Sequence, residues 1–334
     1  MSAKETNMSD LSTSYLGLKL KNPLIVSSSS MTQSLNGVKK CAEHGAAAVV
    51  LKSLFEEQIE VEVDAQEKEA DVSIHPEAQE YVRQMGMRLG PNSYLDLIRE
   101  SKSSVDIPII ASVNCVDAKW WGQYAKQIQS AGADALELNI SIMPRGLSES
   151  AETVEKQFTS IVQTVRQQVD LPLAVKIGPY FSSLPKFVLE LEKAGASAVI
   201  LFNRFYQLDI DLRLMKLAPG YQFSSPNEMH VPLRWISILS DKLKLDLAAS
   251  TGVHDGDAAA KMLLAGAAAV QICSTLFLHG FNQIQIILNQ LEQWMKSQGM
   301  NSVEQFRGRL SQKGSPNPEA YERFQYIKAL TGVA

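Results

Sequence analysis

Lysines with the chemistry to bind an anion follow two of the short apolar runs in this chain. Lys52 follows AVVL and Lys176 follows LPLAV, so both ammonium groups stand at the limit of an apolar segment. A buried ammonium needs a partner, and two lysines in the same setting favour a binding role. The alternative for Lys176 is a loop lysine that reaches solvent. Amides and hydroxyls end other runs: Ser27 and Ser28, Asn114, Asn139 and Ser141, and Asn203, which Arg204 follows.

Two tripeptides of small residues have the character of phosphate-binding turns. STG at 250–252 and CST at 273–275 each follow an apolar run. Small residues allow backbone N–H groups and hydroxyls to approach a phosphate, and α/β barrels commonly bind phosphate after their last two strands. The candidate phosphate ligands are Thr251, Gly252, Ser274 and Thr275. Together with the lysines and amides they predict an anionic ligand that accepts hydrogen bonds.

Glu137 is the one carboxylate within this group of polar residues, because it lies inside the run ALELNI. We expect it to point toward the helix side of its strand and to pair there with a basic neighbour. A position inside the barrel is the open alternative.

A repeated pattern indicates the elements that hold these residues. Gly-Ala-x-Ala followed by apolar residues begins at Gly45, Gly132, Gly195 and Gly266, each time after a helical stretch. Glycine suits a helix C-cap there, and the apolar run suits a buried parallel strand. Four further runs alternate with these segments, and three of them begin at a proline: 22–28, 107–114, 171–177 and 245–251.

Eight strands that alternate with helices predict a (β/α)8 TIM barrel. A doubly wound open sheet would alternate in the same way, but no G-x-G-x-x-G turn follows the first strand. We expect a single domain over residues 1–334. Two long connections, residues 54–92 and 203–229, are expected to cover the substrate.

Composition excludes several classes of function. Lys plus Arg total 32 against 36 Asp plus Glu, and no basic block occurs, which argues against a nucleic-acid partner. Cys41, Cys115 and Cys273 are far apart and form no CxxC pair, so neither a disulfide framework nor a metal site is expected. No apolar run reaches about 18 residues. We therefore expect a cytoplasmic protein with a small-molecule substrate and no membrane contact.

In the order and spacing of its motifs the chain resembles the FMN-dependent dihydroorotate dehydrogenases, of the soluble class 1 type, over nearly its full length. The resemblance implies a flavoprotein oxidoreductase of pyrimidine biosynthesis that acts on a CH–CH group of dihydroorotate or a related compound and passes hydride to flavin N5. The matching stretches are YLGLKLKNPLIVSSS from Tyr15, LKS at 51–53, ADALELNIS at 133–141, LPLAVKIGPYF at 171–181, ASTGVHDGDAAAKMLLAGAAAVQICSTL at 249–276 and GMNSVEQFRGRL at 299–310.

The resemblance also implies roles for the polar residues. Lys176 would face the flavin N1 and C2 carbonyl, where a cation stabilises the negative charge of the reduced ring. Lys52 would lie near the ring and the substrate, and Asn203 would hold the polar edge of the substrate. Asn139 would bind flavin or substrate. The remaining cofactor ligands would be Ser27, Ser28 and Asn114 near the ring, and Thr251, Gly252, Ser274 and Thr275 at the phosphate.

The chain departs from the family at the position of the catalytic base. The family sequence runs Asn, apolar, Ser, then a Cys or Ser that removes a proton while hydride passes to the flavin. Here Asn139 and Ser141 are followed by Ile142 and Met143, neither of which can accept a proton. Lys52 and Ser141 are therefore the candidate catalytic residues, with Cys115 or a water as alternative bases.

Two arginines replace family residues in the substrate half of the site. Arg145 stands where an asparagine is usual and Arg204 where a small hydroxyl residue is usual. They favour a substrate more anionic than dihydroorotate, unless they form surface ion pairs instead. The substrate loop of the family is retained only as MGMRLGPN, residues 85–92.

Three functional hypotheses remain open at this point. The first is an FMN oxidoreductase for dihydroorotate or for a different anionic substrate. The second is a flavin-binding or ligand-binding barrel with impaired catalysis, and the third is a phosphate-binding lyase or isomerase that uses Lys176. The resemblance implies a homodimer and a possible separate electron-transfer subunit, because the chain has no cysteine cluster for iron–sulfur ligation.

Overall fold

The fold is that of a computed structural model, which describes residues 9–55, 92–115, 118–144, 146–204, 207–220, 222–316 and 318–321. Eight parallel strands form a closed ring: β3 (Leu24–Val26), β4 (Ala48–Val50), β6 (Ile109–Cys115), β7 (Ala135–Ile140), β8 (Leu173–Ile177), β9 (Ala198–Leu201), β12 (Asp246–Ser250) and β13 (Ala269–Ile272). They pair in the order β3-β13-β12-β9-β8-β7-β6-β4, and β4 pairs with β3 to close the ring. The predicted (β/α)8 TIM barrel is confirmed.

Five further strands lie outside the ring. The first two along the chain form a small sheet, and the third pairs with β6. The last two make an antiparallel hairpin. They are β1 (Thr13–Tyr15), β2 (Leu18–Leu20), β5 (Leu54–Phe55), β10 (Leu208–Asp211) and β11 (Lys216–Pro219).

The helices begin where polar side chains cap them. Ser34, Ser150 and Asp255 each accept a hydrogen bond from the backbone N–H three residues on, which fixes the first turn of the helix that follows. Within the described ranges the α-helices are α1 (Leu35–Glu43), α2 (Asn92–Ser104), α3 (Ala118–Ser130), α4 (Ala151–Arg166), α5 (Leu184–Ala194), α6 (His230–Leu239), α7 (Gly256–Ala265), α8 (Ser274–His279) and α9 (Gln283–Ser297).

The repeated glycine ends helices, as the sequence predicts. Gly195 and Gly266 are the C-caps of α5 and α7, with φ of 107° and 114°. A side chain is strained in this left-handed region, so glycine is favoured there. Each cap turns the chain directly into the buried strand that follows, β9 or β13, and so sets the point at which that strand enters the ring.

The described residues form two compact units. One consists of Leu16–Leu18 and Ile25–Val199, and we call it the N-terminal unit. The other, which we call the C-terminal unit, takes the described residues up to Tyr15, Lys19–Leu24 and those from Ile200 onward. The prediction of a single domain over residues 1–334 stays a prediction.

The two predicted insertions differ in how much of them is described. Of residues 54–92 only β5 and Asn92, the first residue of α2, lie within the described part. Residues 203–229 contain the β10–β11 hairpin and a 3-10 helix, Pro226–Met229.

The hairpin is amphipathic. Ile210 faces Leu217 across its two strands, and Leu208 lies on the same face as Ile210 because side chains two apart share a face. These three apolar side chains are 56%, 71% and 70% exposed, respectively. The turn adds three more exposed apolar residues, Leu212, Leu214 and Met215.

Candidate active site

The carboxyl ends of three neighbouring strands in the N-terminal unit present polar residues in register. Asn114 of β6 pairs with Asn139 of β7, which in turn pairs with Lys176 of β8. Paired residues of neighbouring strands point to the same face, so two amides and an ammonium form a row. Asn114 and Lys176 are buried, with 9% and 6% of their surface exposed. The strand pairing thus brings these three predicted residues together.

Glu137 lies on the same face of β7 as Asn139, two residues before it, so its expected position on the helix side is wrong. Its partner is basic, as expected: Glu137 Oε1 lies 3.8 Å from Lys176 Nζ. The alternation of the strand explains the error, since Leu136 and Leu138 occupy the opposite face and leave Glu137 the face that carries the polar row. The interior position that the sequence leaves open is the correct one.

Lys176 is held between two groups of the N-terminal unit. Its Nζ donates a hydrogen bond of 2.9 Å to Ser27 Oγ and forms the ion pair with Glu137. Ser27 is itself buried. The alternative of a solvent-reaching Lys176 is therefore wrong, and the ammonium is fixed at the end of β8.

A chain of hydroxyl groups continues from Ser28 across the same unit. Ser28 Oγ lies 3.0 Å from Ser53 Oγ, which lies 2.7 Å from Ser112 Oγ. Tyr94 donates to the Ser112 carbonyl and accepts from its N–H. Sequence reasoning missed Ser112 and Tyr94; the spacing of Ser112 two residues before Asn114 was the available signal. This series of hydrogen-bonded hydroxyl groups fixes the ends of β3 and β6.

The environment of Tyr94 keeps it neutral. Burial raises the pKa of the Tyr94 hydroxyl above its ordinary value, the hydrogen bond to Ser112 opposes this shift, and the charge of Glu137 adds to it. Tyr94 therefore acts as a hydrogen-bonding group that positions β6.

The two candidate catalytic residues are more accessible than Lys176. Lys52 is half-buried, and its Nζ lies 3.5 Å from Gln33 Oε1. Ser141 and Ile142 are also half-buried, whereas Met143 is 61% exposed. Neither Ile142 nor Met143 places a proton acceptor after β7. The Cys115 side chain and Arg145 lie outside the described part of the chain.

Small residues follow β12 and β13 in the C-terminal unit. The two strands run parallel, with Ser250 opposite Gln271, so the turns at Thr251 and Cys273 begin at the same edge of the sheet. Gly252 has φ of 79°, and a Cβ there would lie 2.3 Å from the Met229 nitrogen. Only glycine allows the 3-10 helix to pack so closely against the turn.

The hydroxyls of this edge already bond to protein groups. Thr251 Oγ1 donates to the Phe202 carbonyl and Thr275 Oγ1 to the His254 carbonyl, while Ser274 Oγ accepts from Ser224 N. The backbone N–H groups of the turns are therefore better suited than the Thr251 and Thr275 hydroxyls to donate to a phosphate, whereas the Ser274 hydroxyl accepts its bond and keeps its hydrogen for donation.

His254 also lies at this edge. Its Nε2 lies 3.2 Å from Ser224 Oγ. Burial lowers the pKa of His254, and the hydrogen bond with Ser224 only partly offsets this effect. His254 is thus a neutral hydrogen-bonding group at pH 7 that holds the 203–229 segment near Ser274.

Arg204 forms an ion pair within the C-terminal unit. Its Nε lies 2.7 Å from Glu228 Oε2, and it also donates to the Gln222 carbonyl. This is the ion pairing that the sequence leaves open for Arg204. Asn203, next to it, is half-buried. Because Glu228 compensates the charge of Arg204, this arginine adds little positive field for an anionic substrate.

We expect Glu228→Gln to lower the free energy of unfolding by about 1 kcal/mol at pH 7, because the ion pair is only partly shielded from solvent. Burial opposes ionisation of Glu228, but bonds from Arg204 and Ser225 outweigh it and hold the pKa of this carboxyl below its ordinary value. A depressed folded-state pKa gives stabilisation above the unfolded pKa of about 4.3, which is lost as pH falls.

Urea unfolding at pH 7 and at pH 3 measures this effect. The difference between Glu228→Gln and the unmodified protein should shrink at pH 3. Glu190→Gln, which breaks an exposed pair with Lys193, is the control and should change little. A difference of the same size at both pH values would contradict the ion-pair explanation.

Other classes of site find no support in the described ranges. No helix there is both long and apolar enough to cross a membrane. No group of three or more His, Cys, Asp or Glu side chains there could hold a metal ion.

Comparison with known proteins identifies the family that this chain matches. A family model described as dihydroorotate dehydrogenase matches residues 10–295. The "Dihydroorotate dehydrogenase B (NAD(+)), catalytic subunit" of Thermoplasma acidophilum is 27% identical over 308 residues, 90% of this chain and 99% of the relative. Its counterpart from Pyrococcus abyssi is 26% identical over 304 residues, 89% of this chain and 98% of the relative.

Proposed function

Because this chain belongs to the dihydroorotate dehydrogenase family, we propose that it is an FMN-dependent oxidoreductase that oxidises dihydroorotate or a related small molecule at a CH–CH group. The observation that carries the proposal is the row of Asn114, Asn139 and Lys176, with Lys176 fixed by Ser27 and Glu137. Two amides and one oriented ammonium fit the polar edge of a flavin ring, which offers both hydrogen-bond acceptors and donors.

The residues present fit the ring and the phosphate of FMN in different ways. Ser27, Ser28, Asn114 and Lys176 would hold the ring, and the turns at Thr251–Gly252 and Ser274–Thr275 would hold the phosphate. Bound FMN supplies the acceptor for a hydride. Lys176 contributes a fixed positive charge where negative charge develops, and a group already in place needs no reorganisation during the reaction.

The substrate half of the site determines how fast the reaction runs. Lys52 would contact the substrate and Asn139 and Asn203 would bind its polar groups, while Ser141 is the candidate proton acceptor in this chain. A serine hydroxyl without an adjacent base is a poor proton acceptor. We therefore expect slow oxidation of dihydroorotate. The second candidate function is oxidation of a different substrate, in a reaction that needs no base at position 142.

Titration with FMN tests the cofactor proposal. Protein freed of flavin should bind FMN tightly and riboflavin, which lacks the phosphate, at least tenfold more weakly, as followed by quenching of flavin fluorescence. Equal affinity for FMN and riboflavin would contradict phosphate binding by the turns after β12 and β13. Failure to bind either would contradict the proposed function.

Relatives of this chain suggest how electrons leave the flavin. The names of the relatives describe a catalytic subunit and NAD(+). We propose that this chain likewise works with a separate electron-transfer subunit, and that the complex functions in pyrimidine biosynthesis. Its location in the cytoplasm stays a prediction.

We further propose that the chain forms a homodimer through the apolar face of the β10–β11 hairpin together with the three apolar residues of its turn. Six exposed apolar residues at about 100 Å² each would remove on the order of 1,200 Å² from water in a pair, the lower bound for a stable interface. Ile210→Asp should shift the protein to a monomer in analytical ultracentrifugation. Asp209→Asn, on the opposite face, should leave the mass unchanged; equal masses for Ile210→Asp and the unmodified protein would contradict the proposal.

A further inference from the structure

We propose that Glu137 is a positioning residue that sets the charge Lys176 presents to the flavin, and with it the reduction potential of the bound cofactor. This inference rests on the proposed function. It adds a residue that makes no contact with the cofactor itself and acts through Lys176.

The geometry of the pair supports this role. Glu137 and Lys176 side chains are 1% and 8% exposed, and Glu137 Oε1 lies 3.8 Å from Lys176 Nζ. Charges interact more strongly where water is excluded, so each group senses the charge of the other. Glu137 lies one layer below the polar row, opposite Ser112 and Ala174 of the neighbouring strands. The Glu137 carboxylate therefore lies on the side of Lys176 that is farther from the carboxyl ends of the strands.

The division of contacts at Lys176 explains the orientation. Ser27 Oγ accepts a short hydrogen bond from Nζ, whereas Glu137 attracts the ammonium over a longer distance. A carboxylate in full contact would pull Nζ into the layer of Glu137. At 3.8 Å the Glu137 carboxylate offsets part of the charge of the Lys176 ammonium.

The sign of the effect on a bound flavin follows. The reduced ring carries negative charge, which an uncompensated Lys176 would stabilise more strongly than one paired with Glu137. Removing the carboxylate charge should therefore favour the reduced over the oxidised flavin and raise the potential. A nearby charge changes such equilibria by about tenfold or more. Tenfold corresponds to about 30 mV for a two-electron couple.

The test compares Glu137→Gln with the unmodified protein, both loaded with FMN. The potential is read from the flavin spectrum in equilibrium with a dye of known potential. We expect Glu137→Gln to raise it by an amount that corresponds to about tenfold tighter relative binding of the reduced form. Glu190→Gln makes the same chemical change on an exposed part of α5 and should leave the potential unchanged.

The possible outcomes separate the inference from the proposed function. An unmodified protein that does not retain FMN would overturn both. An unmodified protein that retains FMN, with equal potentials for Glu137→Gln and Glu190→Gln, would overturn the role of Glu137 alone.

A measurement without flavin keeps the inference testable if Glu137→Gln does not fold. If Glu137 and Lys176 form an ion pair, Lys176→Met leaves a buried carboxylate without its cation. The double variant Glu137→Gln/Lys176→Met removes both charges and should therefore have a higher urea midpoint than Lys176→Met. An equal or lower midpoint for the double variant would overturn the pairing.

Discussion

Ile142→Cys is expected to accelerate the reduction of the bound flavin by dihydroorotate by about 10²-fold or more. A positioned general base contributes about 10²- to 10⁴-fold, and the unmodified chain has an alkyl group at this point. Ile142 is half-buried two residues after the end of β7, close along the chain to Asn139. A thiol is smaller than the isoleucine side chain, so the substitution introduces no steric conflict.

Anaerobic stopped-flow absorbance measures this rate. The rate for Ile142→Cys should also rise with pH through the ordinary thiol pKa of about 8.5, because the thiolate is the proton acceptor. Met143→Cys is the matched control: it adds the same thiol one residue later, on a side chain that is 61% exposed, and should give no acceleration. Equal rates for both variants and the unmodified protein would show that the lack of a base at position 142 does not limit the rate of flavin reduction.

Lys176→Met is expected to lower the rate of flavin reduction by about 10²- to 10³-fold. Removing one preorganised donor to developing negative charge has an effect of this size. The substitution also leaves Glu137 buried without its ion pair, so we expect a loss of about 3–5 kcal/mol in the free energy of unfolding.

The rate must therefore be measured on folded protein, as judged by circular dichroism. Lys186→Met, on an exposed position of α5, is the matched control and should retain the full rate. If folded Lys176→Met reduced its flavin at the rate of the control, Lys176 would have no part in stabilising the reduced ring.

Much of the fold could be predicted because the patterns that produce it are local. The glycines at 195 and 266 end their helices with a positive φ, and the apolar runs after them become β9 and β13. The repeated order of strand and helix also brings Asn139 and Lys176 together, because each residue lies near the end of a buried run and the two runs form neighbouring strands.

The parts that the sequence could not predict depend on contacts between distant segments. Glu137 faces Lys176, 39 positions away; strand alternation places Glu137 on the face of Asn139 but does not identify this partner. Arg204 finds Glu228 because the 203–229 segment folds back on itself. Ser53 meets Ser112 only once β5 has paired with β6. Local spacing indicates the strand face on which Glu137 or Ser112 lies, but it does not identify the distant residue that each one contacts.

The visible spectrum of the FMN-loaded protein during anaerobic addition of dihydroorotate shows whether this site oxidises dihydroorotate. We expect slow but complete bleaching of the flavin band, with one orotate formed for each flavin reduced, and faster bleaching for Ile142→Cys. A flavin band that persists in both proteins would contradict oxidation of dihydroorotate by this site.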